Sequence, residues 1–511
     1  MVLRQLRGFP LRFSVWRWLA LVILLVACTR PDGVDVEAWP LHEPVTPMST
    51  IAFPVVSGLL TTPTPLPVRQ VPETITVFHT VARGETLFSI AQRYAVTVDS
   101  LIALNALANP DALAVGQVLQ VSQVPSRTAP AHRLLPDSEL VYGPGYVGFS
   151  VAEVTARYSG WFNQYGEEIE GRWYSASEVV ELVARQYSVG PRVLLALLEL
   201  RGGWLTNPAP SPEARMYPLG YEREYWDGLY LQLSLAANGL NRGFYGWVNN
   251  SLWVVQLDSG EYVQLSSEIN AGTAGVQCAL LFGQTYDAWE ASLNPNDPQG
   301  FLMTYRTLFG DPFSYAVEPL LPLDGATPLL ALPWPRGETW YYTGGPHGGW
   351  DAGSAWAALD FVPGTEPLGC TRALQRATAA APGLIVYSDH GMVLQDLDGD
   401  GFAGTGWVLL YLHIATEGRV PVGAALQTGD PIGHPSCEGG VSYATHLHFA
   451  RRFNGVWIAA EHPQWPLVMD GWRAGATERA YSGTLTRNGE VRTACECWEP
   501  TNAIQHTGLN P

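Results

Sequence analysis

Thr445-His446-Leu447-His448-Phe449 is the stretch on which the reading of this chain turns. Apolar residues alternate with histidines, which predicts a strand, and on a strand residues i and i+2 point the same way. Both imidazoles then face one groove, where one can bind a metal ion while its neighbour moves a proton. Six of the eleven histidines fall between 347 and 448. That segment also holds Gly344-Gly345-Pro346-His347, Ala358-Leu359-Asp360-Phe361 and Tyr411-Leu412-His413. Runs around Leu384 to Tyr387, Val393 to Leu397 and Trp407 to Leu412 read as strands punctuated by Gly and Pro. His347, Asp360 and His448 would give two nitrogens and an oxygen, a three-ligand site with an open corner, as catalytic zinc requires. Zinc brings the pKa of its water to about 7 and polarises a carbonyl. His413, on another strand beside the groove, could stabilise the developing oxyanion alongside His446.

These residues resemble the LytM-type (M23) peptidoglycan endopeptidases, in the branch of the lysostaphin-related and beta-lytic enzymes. The resemblance covers about residues 335 to 465: the GGPH start, the LDF strand, Tyr411-Leu412-His413, Gly429-Asp430-Pro431-Ile432-Gly433 and the THLHF end. It implies Zn2+ held by His347, Asp360 and His448, with His413 and His446 as the catalytic histidines. Many members place the Asp four residues after the first His, where this chain has Asp351. Asp360 is preferred because it sits inside an apolar strand, where an unpaired carboxylate is costly unless it binds something. Within this domain Cys370 and Cys437 flank the core strands and are the expected disulfide. Asp396-x-Asp398-x-Asp400-Gly401 imitates the start of a calcium loop but has Trp407 at its twelfth position, so a hairpin connection is expected. His390 and His434 read as turn residues. Trp472 to Asn502 reads as strands and a tail without identifiable chemistry.

Upstream, Phe78-His79-Thr80-Val81 reads as a strand, followed by Arg83-Gly84-Glu85-Thr86-Leu87, where Thr86 can cap a helix through Tyr94. A second helix through Leu101, Ile102 and Leu104 leads to Asn105, and Gly116 to Val121 closes the unit. The pattern resembles the LysM module, which implies binding of N-acetylglucosamine-containing glycan between Gly84, Thr86 and Leu87 and the loop at Asn109 and Pro110.

The middle of the chain is less explicit. Ser175-x-x-Glu178 is a capping box for a helix through Tyr187. Gly190-Pro191 restarts a helix, Val193 to Leu200, that is apolar almost all round and so buried. Its end, Leu197 to Trp204, faintly resembles the catalytic helix of lysozyme-like transglycosylases. The acid's slot is filled by Arg201, and a permanent cation cannot replace a general acid. Glu199 points elsewhere around the helix. A lysozyme-like domain without muramidase activity and a plain helical spacer both fit.

At the start, Arg4, Arg7, Arg12 and Arg17 precede an apolar run, Trp18 to Ala27, too short for a comfortable span. It ends Leu25-Val26-Ala27-Cys28, which resembles a lipobox and implies lipidation at Cys28. Pro- and Thr-rich sequence follows as a tether. Formal net charge is −18, and every basic residue is Arg. That balance argues against nucleic acid, which needs concentrated positive charge. Cys278, Cys495 and Cys497 complete an odd set of mature cysteines; the spacing of the last two is poor for bonding each other.

The expectation is a multidomain α+β chain: signal peptide (1–27), Pro/Thr-rich linker (28–74), small βααβ LysM module (75–123), mainly helical middle domain (135–325), β-rich antiparallel LytM/M23 metallopeptidase domain (330–465) and C-terminal strands and tail (466–511). The implied protein is an extracytoplasmic lipoprotein, anchored to a membrane of the cell envelope through its N-terminal lipid. It cuts the peptide part of peptidoglycan while LysM holds the glycan strand. The alternative is a non-catalytic wall-binding lipoprotein that regulates another hydrolase.

Overall fold

The computed structural model describes residues 74–508 apart from 110–111, 126, 323–325 and 365–368. Cys28, the expected signal peptide, the expected linker as far as residue 73, and Pro110 lie outside the described residues. Among the described residues, no single helix is long and apolar enough to cross a membrane.

In the first unit, strands Ile75–Thr80 and Val118–Gln123 pair antiparallel around two helices, Leu87–Arg93 and Val98–Leu104. Thr86 and Thr97 start the helices by accepting from backbone N–H groups otherwise left without partners. Asn105 fastens the second helix to the closing strand, donating to Gln120 O and accepting from Gln120 N at 2.7 Å each. Val77, Ile90, Leu101, Leu119 and Val121 fill the small core.

The middle region is built on helices Ala176–Tyr187, Pro191–Gly202, Leu229–Val248 and Ala271–Ala279. The capping box forms as the sequence predicts, Ser175 and Glu178 each receiving the other's backbone N–H. Helix Pro191–Gly202 is buried along nearly its whole length. The last two helices approach closely because Gly243 lies against the backbone of Ala274 and Gly275, where a side chain would collide. Glu139, fully buried, accepts from Arg192 at 2.7 Å and from Tyr146 and Tyr305 at 2.6 Å, so its charge is paired and its oxygens are occupied. Glu199 accepts from Leu205 N and Thr206 N of the following loop, and Arg201 donates to Leu280 O.

The C-terminal region is an antiparallel sheet. Its strands run in the order Ala425–Leu426, Gly383–Asp389, Met392–Asp396, Trp407–Leu412, Leu447–Phe453, Ala358–Pro363, Thr339–His347, Ala503–Gln505. Alternation decides what each face meets. Leu409, Tyr411, Leu447, Phe449, Leu359 and Phe361 face the region's own core. Val408, Leu410, Leu412, Ala450 and Trp457 face the other way, into a core shared with the helices. Polar bonds reinforce that junction: Arg452 Nη1 donates to Arg185 O at the end of a helix (3.0 Å), and Tyr245 accepts from Trp457 N (2.8 Å). His390 does lie at a turn, yet it is gripped by Glu170 (3.1 Å) and Tyr174 of the hairpin Gly166–Ser175.

The downstream segment is integral to this region. Ala503–Gln505 forms the sheet edge beside Thr339–His347, and a small four-stranded sheet, Val468–Met469 to Glu490–Thr493, packs near it. Cys495 and Cys497 are bonded to each other, against the expectation from spacing. Here the chain bends instead of extending, with Cys497 N donating to Cys495 O at 2.7 Å, and the Cα atoms come within 5.2 Å. Cys278 is buried and free.

Candidate metal centre

Asp360 and His448 are cross-strand partners on the face turned towards the helices, and His347 ends the next strand over. His347 Nε2 lies 3.0 Å from His448 Nδ1, and Asp360 Oδ1 lies 3.3 Å from each. A tetrahedral ion with bonds of about 2.0–2.1 Å separates its ligand atoms by about 3.3–3.4 Å, so these three atoms have the spacing of one face of such a site. All three residues are buried, and Asp360 Oδ1 receives no hydrogen bond. A buried carboxylate oxygen without a donor is costly unless a cation meets it.

The remaining ring nitrogens are occupied. His347 Nδ1 donates to Gly345 O (2.8 Å) and His448 Nε2 to Gly349 O (3.0 Å), which leaves the facing nitrogens as lone pairs. Burial works against charge on Asp360, but His347 and His446 outweigh it and hold the carboxyl well below its ordinary value. Burial likewise pulls His347 down, and the Asp360 carboxylate lifts it above its ordinary value.

Sequence explains the close packing. Gly344 passes the Asp360 carboxylate, and Gly345 passes the backbone of Ser482 and Gly483, where in each case a Cβ would collide. Asp351, the alternative ligand, is directed elsewhere: Oδ2 accepts from Tyr187 Oη (3.3 Å) and Oδ1 from Ala352 N (2.6 Å). It is not part of the three-residue cluster.

His413 and His446 lie beside the tripod, their rings 4.4 Å apart, with His446 Nε2 3.8 Å from Asp360 Oδ1. His413 sits one residue past the strand Trp407–Leu412 with φ of 64°, a left-handed kink that the strand expectation did not contain. Its Nδ1 meets Glu438 O (3.1 Å), and His446 Nδ1 meets Ala444 O (2.8 Å). Burial, reinforced by His446 and His448, pulls His413 down to about 3, so the ring is neutral at neutral pH. Cys370 and Cys437 are joined by a disulfide.

Tyr481 has no counterpart in the sequence reading, which gave its segment no chemistry. Its ring stacks on His347 at 4.1 Å and 20°, while 59 % of the residue stays exposed. Backbone bonds Gly345 N to Tyr481 O (2.8 Å) and Tyr481 N to Pro346 O (3.2 Å) hold it there. A lone Tyr in a Gly- and Ser-containing turn gives no signal of that destination.

In the N-terminal module, Gly84 (φ 89°), Thr86 and Asn109 are exposed in turns, while Leu87 is buried in the module core and can offer a ligand only backbone. Next to it, Phe88 is 70 % exposed, an aromatic face that the sequence reading passed over.

Comparison with known proteins adds two family matches: residues 79–122 match the LysM domain, and residues 133–322 match the LasA N-terminal domain. Protease LasA of Pseudomonas aeruginosa (strain PAO1) is 25 % identical over 312 residues, covering 56 % of this chain and 68 % of that protein. The secreted LysM effector ECP6 of Passalora fulva is 47 % identical over 49 residues, 9 % of this chain and 22 % of that one. Among solved structures, the M23 metalloprotease pseudoalterin is similar with 25 % identity and a TM-score of 0.29, over 35 % of this chain and 99 % of that chain.

Proposed function

We propose that this chain, with its LysM domain at residues 79–122, is a LytM-type M23 zinc endopeptidase that hydrolyses peptide bonds of bacterial peptidoglycan. The observation that carries this reading is the tripod of His347 Nε2, Asp360 Oδ1 and His448 Nδ1, with sides of 3.0, 3.3 and 3.3 Å and an oxygen no donor satisfies. Bound there, zinc supplies a Lewis acid and a water of lowered pKa. The chain's own groups do the rest. Gly345 and Gly349 carbonyls keep both ligand imidazoles turned to the centre. His446, more open to solvent than His413, exchanges protons with the groove, and neutral His413 backs it across 4.4 Å. Tyr481 covers one face of the His347 ring.

The LysM module holds the glycan strand, with Gly84, Thr86 and Asn109 around the sugar amide and Phe88 offering an aromatic face. Cys28 carries the lipid that keeps the protein at the envelope surface.

The test is metal analysis of purified protein together with mass spectrometry of muropeptides released from purified sacculi. One zinc per chain and new peptide termini are expected, and His448→Ala should lose both. Wild-type protein that binds no zinc, or cleaves no peptide bond with zinc bound, ends this reading.

A further inference from the structure

The segment that supports both non-ligand histidines is one loop, and it is closed at both ends by the same short stretch. Cys437 opens it and is bonded to Cys370. Thr445 ends it, with its N donating to Gly369 O (3.0 Å) and its Oγ1 accepting from Thr371 N (2.9 Å). Residues 369–371 therefore act as a clasp across a loop running from 437 to 445.

The two carbonyls that meet the histidines come from the two ends of that loop, Glu438 O for His413 and Ala444 O for His446. The Glu438 end is fixed further. Ser436 donates through N (2.6 Å) and Oγ (3.0 Å) to His413 O, and the Glu438 carboxylate accepts from Thr416 N (2.7 Å) and Oγ1 (2.6 Å). Between the ends, Gly439 and Gly440 take φ of 72° and 62°, and Gly439 lies so close to His390 O that a side chain would collide.

A carbonyl oxygen only accepts, so a ring nitrogen held against it must carry hydrogen. A neutral imidazole has one N–H, and its other nitrogen is then a lone pair. We propose that the loop Cys437–Thr445 is a tautomer clamp for both histidines, and that the Cys370–Cys437 disulfide keeps it closed. Glu438 and Ala444 are positioning residues acting through His413 and His446. The clamp gives both histidines the Nδ1–H form and leaves both Nε2 atoms as acceptors. Neither neutral ring can then donate to an oxyanion through Nε2 at the outset. One Nε2 first takes a proton from the attacking water as the C–O bond forms. The protonated ring becomes a donor, and it passes the proton to the amine nitrogen as the C–N bond breaks.

The proposal rests on reading His413 and His446 as the two histidines that serve the reaction, and the test separates the two claims. In metal-free protein labelled with 15N-histidine, both residues, assigned through His413→Ala and His446→Ala, should show the Nδ1–H tautomer. In Cys370→Ser/Cys437→Ser, the His413 signals should move to a tautomer mixture. Zinc content should stay at wild-type level, kcat on soluble muropeptides should fall about 10–100-fold, and KM should change less than about threefold. Cys495→Ser/Cys497→Ser is the control and should leave the histidine spectrum unchanged. Should the double variant not fold, Thr445→Val removes the side-chain half of the clasp at the other end, leaving the Thr445 N to Gly369 O bond, and should shift His446 alone. An unchanged tautomer in a folded, clasp-opened protein overturns the proposal, as does a loss of kcat that follows loss of zinc. A wild type that binds zinc and cleaves nothing removes the peptidase reading, while the tautomer spectra still decide the clamp.

Discussion

Two clusters on the same sheet have the composition of a metal site, and they are built in opposite ways. His347, Asp360 and His448 converge from three strands, all buried, with Asp360 Oδ1 lacking any donor. Asp396, Asp398 and Asp400 come from one connection after a strand, and the loop satisfies itself. Asp396 accepts from Asp398 N (3.1 Å), Gly399 N (3.2 Å) and Gly401 N (2.9 Å), while Asp400 accepts from Phe402 N (2.8 Å). The acidic run is the more conspicuous pattern in the sequence. Backbone N–H groups meet its carboxylates, and a proton held at Asp396 up to about pH 7 offsets their mutual repulsion. The histidine tripod has no such internal partner, and that deficit, more than the count of ligand-type residues, marks it as a place for a cation.

The sharpest way to break this contrast is to neutralise one carboxylate in each cluster. Asp360→Asn should abolish zinc retention and lower hydrolysis at least about 1,000-fold, whereas Asp396→Asn should change neither by more than about twofold. Metal analysis and muropeptide release on the same preparations check both halves, and equal effects would erase the distinction. A smaller effect is expected at the tripod's outer wall. Tyr481→Ala should reduce kcat/KM about tenfold with zinc retained, and Tyr481→Phe should keep most of that loss away, because the contact with His347 is through the ring face.

The smallest effect is on stability. Burial raises the Asp396 carboxyl to about 7, with Asp398 adding to it. The folded chain therefore holds a proton there that the unfolded chain has released between about pH 4 and 7, so this group favours the fold at the acid end of that window and less as pH rises through it. Asp396→Asn should flatten that part of the Tm-against-pH curve, and calorimetry of metal-free protein at pH 5 and pH 7 reads the difference. A steeper curve in the variant would assign the slope to another group.

What the sequence made legible follows from periodicity. Alternation in Thr445 to Phe449 placed His446 and His448 towards one site, and the apolar setting of Asp360 singled it out over Asp351, which the fold engages with Tyr187. Capping patterns at Ser175 and Thr86 marked where helices begin. Periodicity reports which way a side chain faces, but not what distant surface that face will meet. So Tyr481, delivered by a different sheet, and His390, gripped by a hairpin far upstream, were beyond reach. The same holds for the shared core: Trp407 to Leu412 reads as a strand, with nothing in its spacing to say that helices cover the face of Leu410 and Leu412. Cys495 and Cys497 escape the spacing argument because the chain bends between them, a bend that their separation of two does not encode.

The sheet's edge beside Thr339–His347 has a consequence for biogenesis. The strand that delivers His347 receives its outer partner, Ala503–Gln505, from far downstream. Until that partner docks, its backbone donors and acceptors are open to any other extended chain, including a sister molecule. Nascent copies crowded together in that interval are at their most vulnerable, which favours dilute, chaperoned production over rapid synthesis.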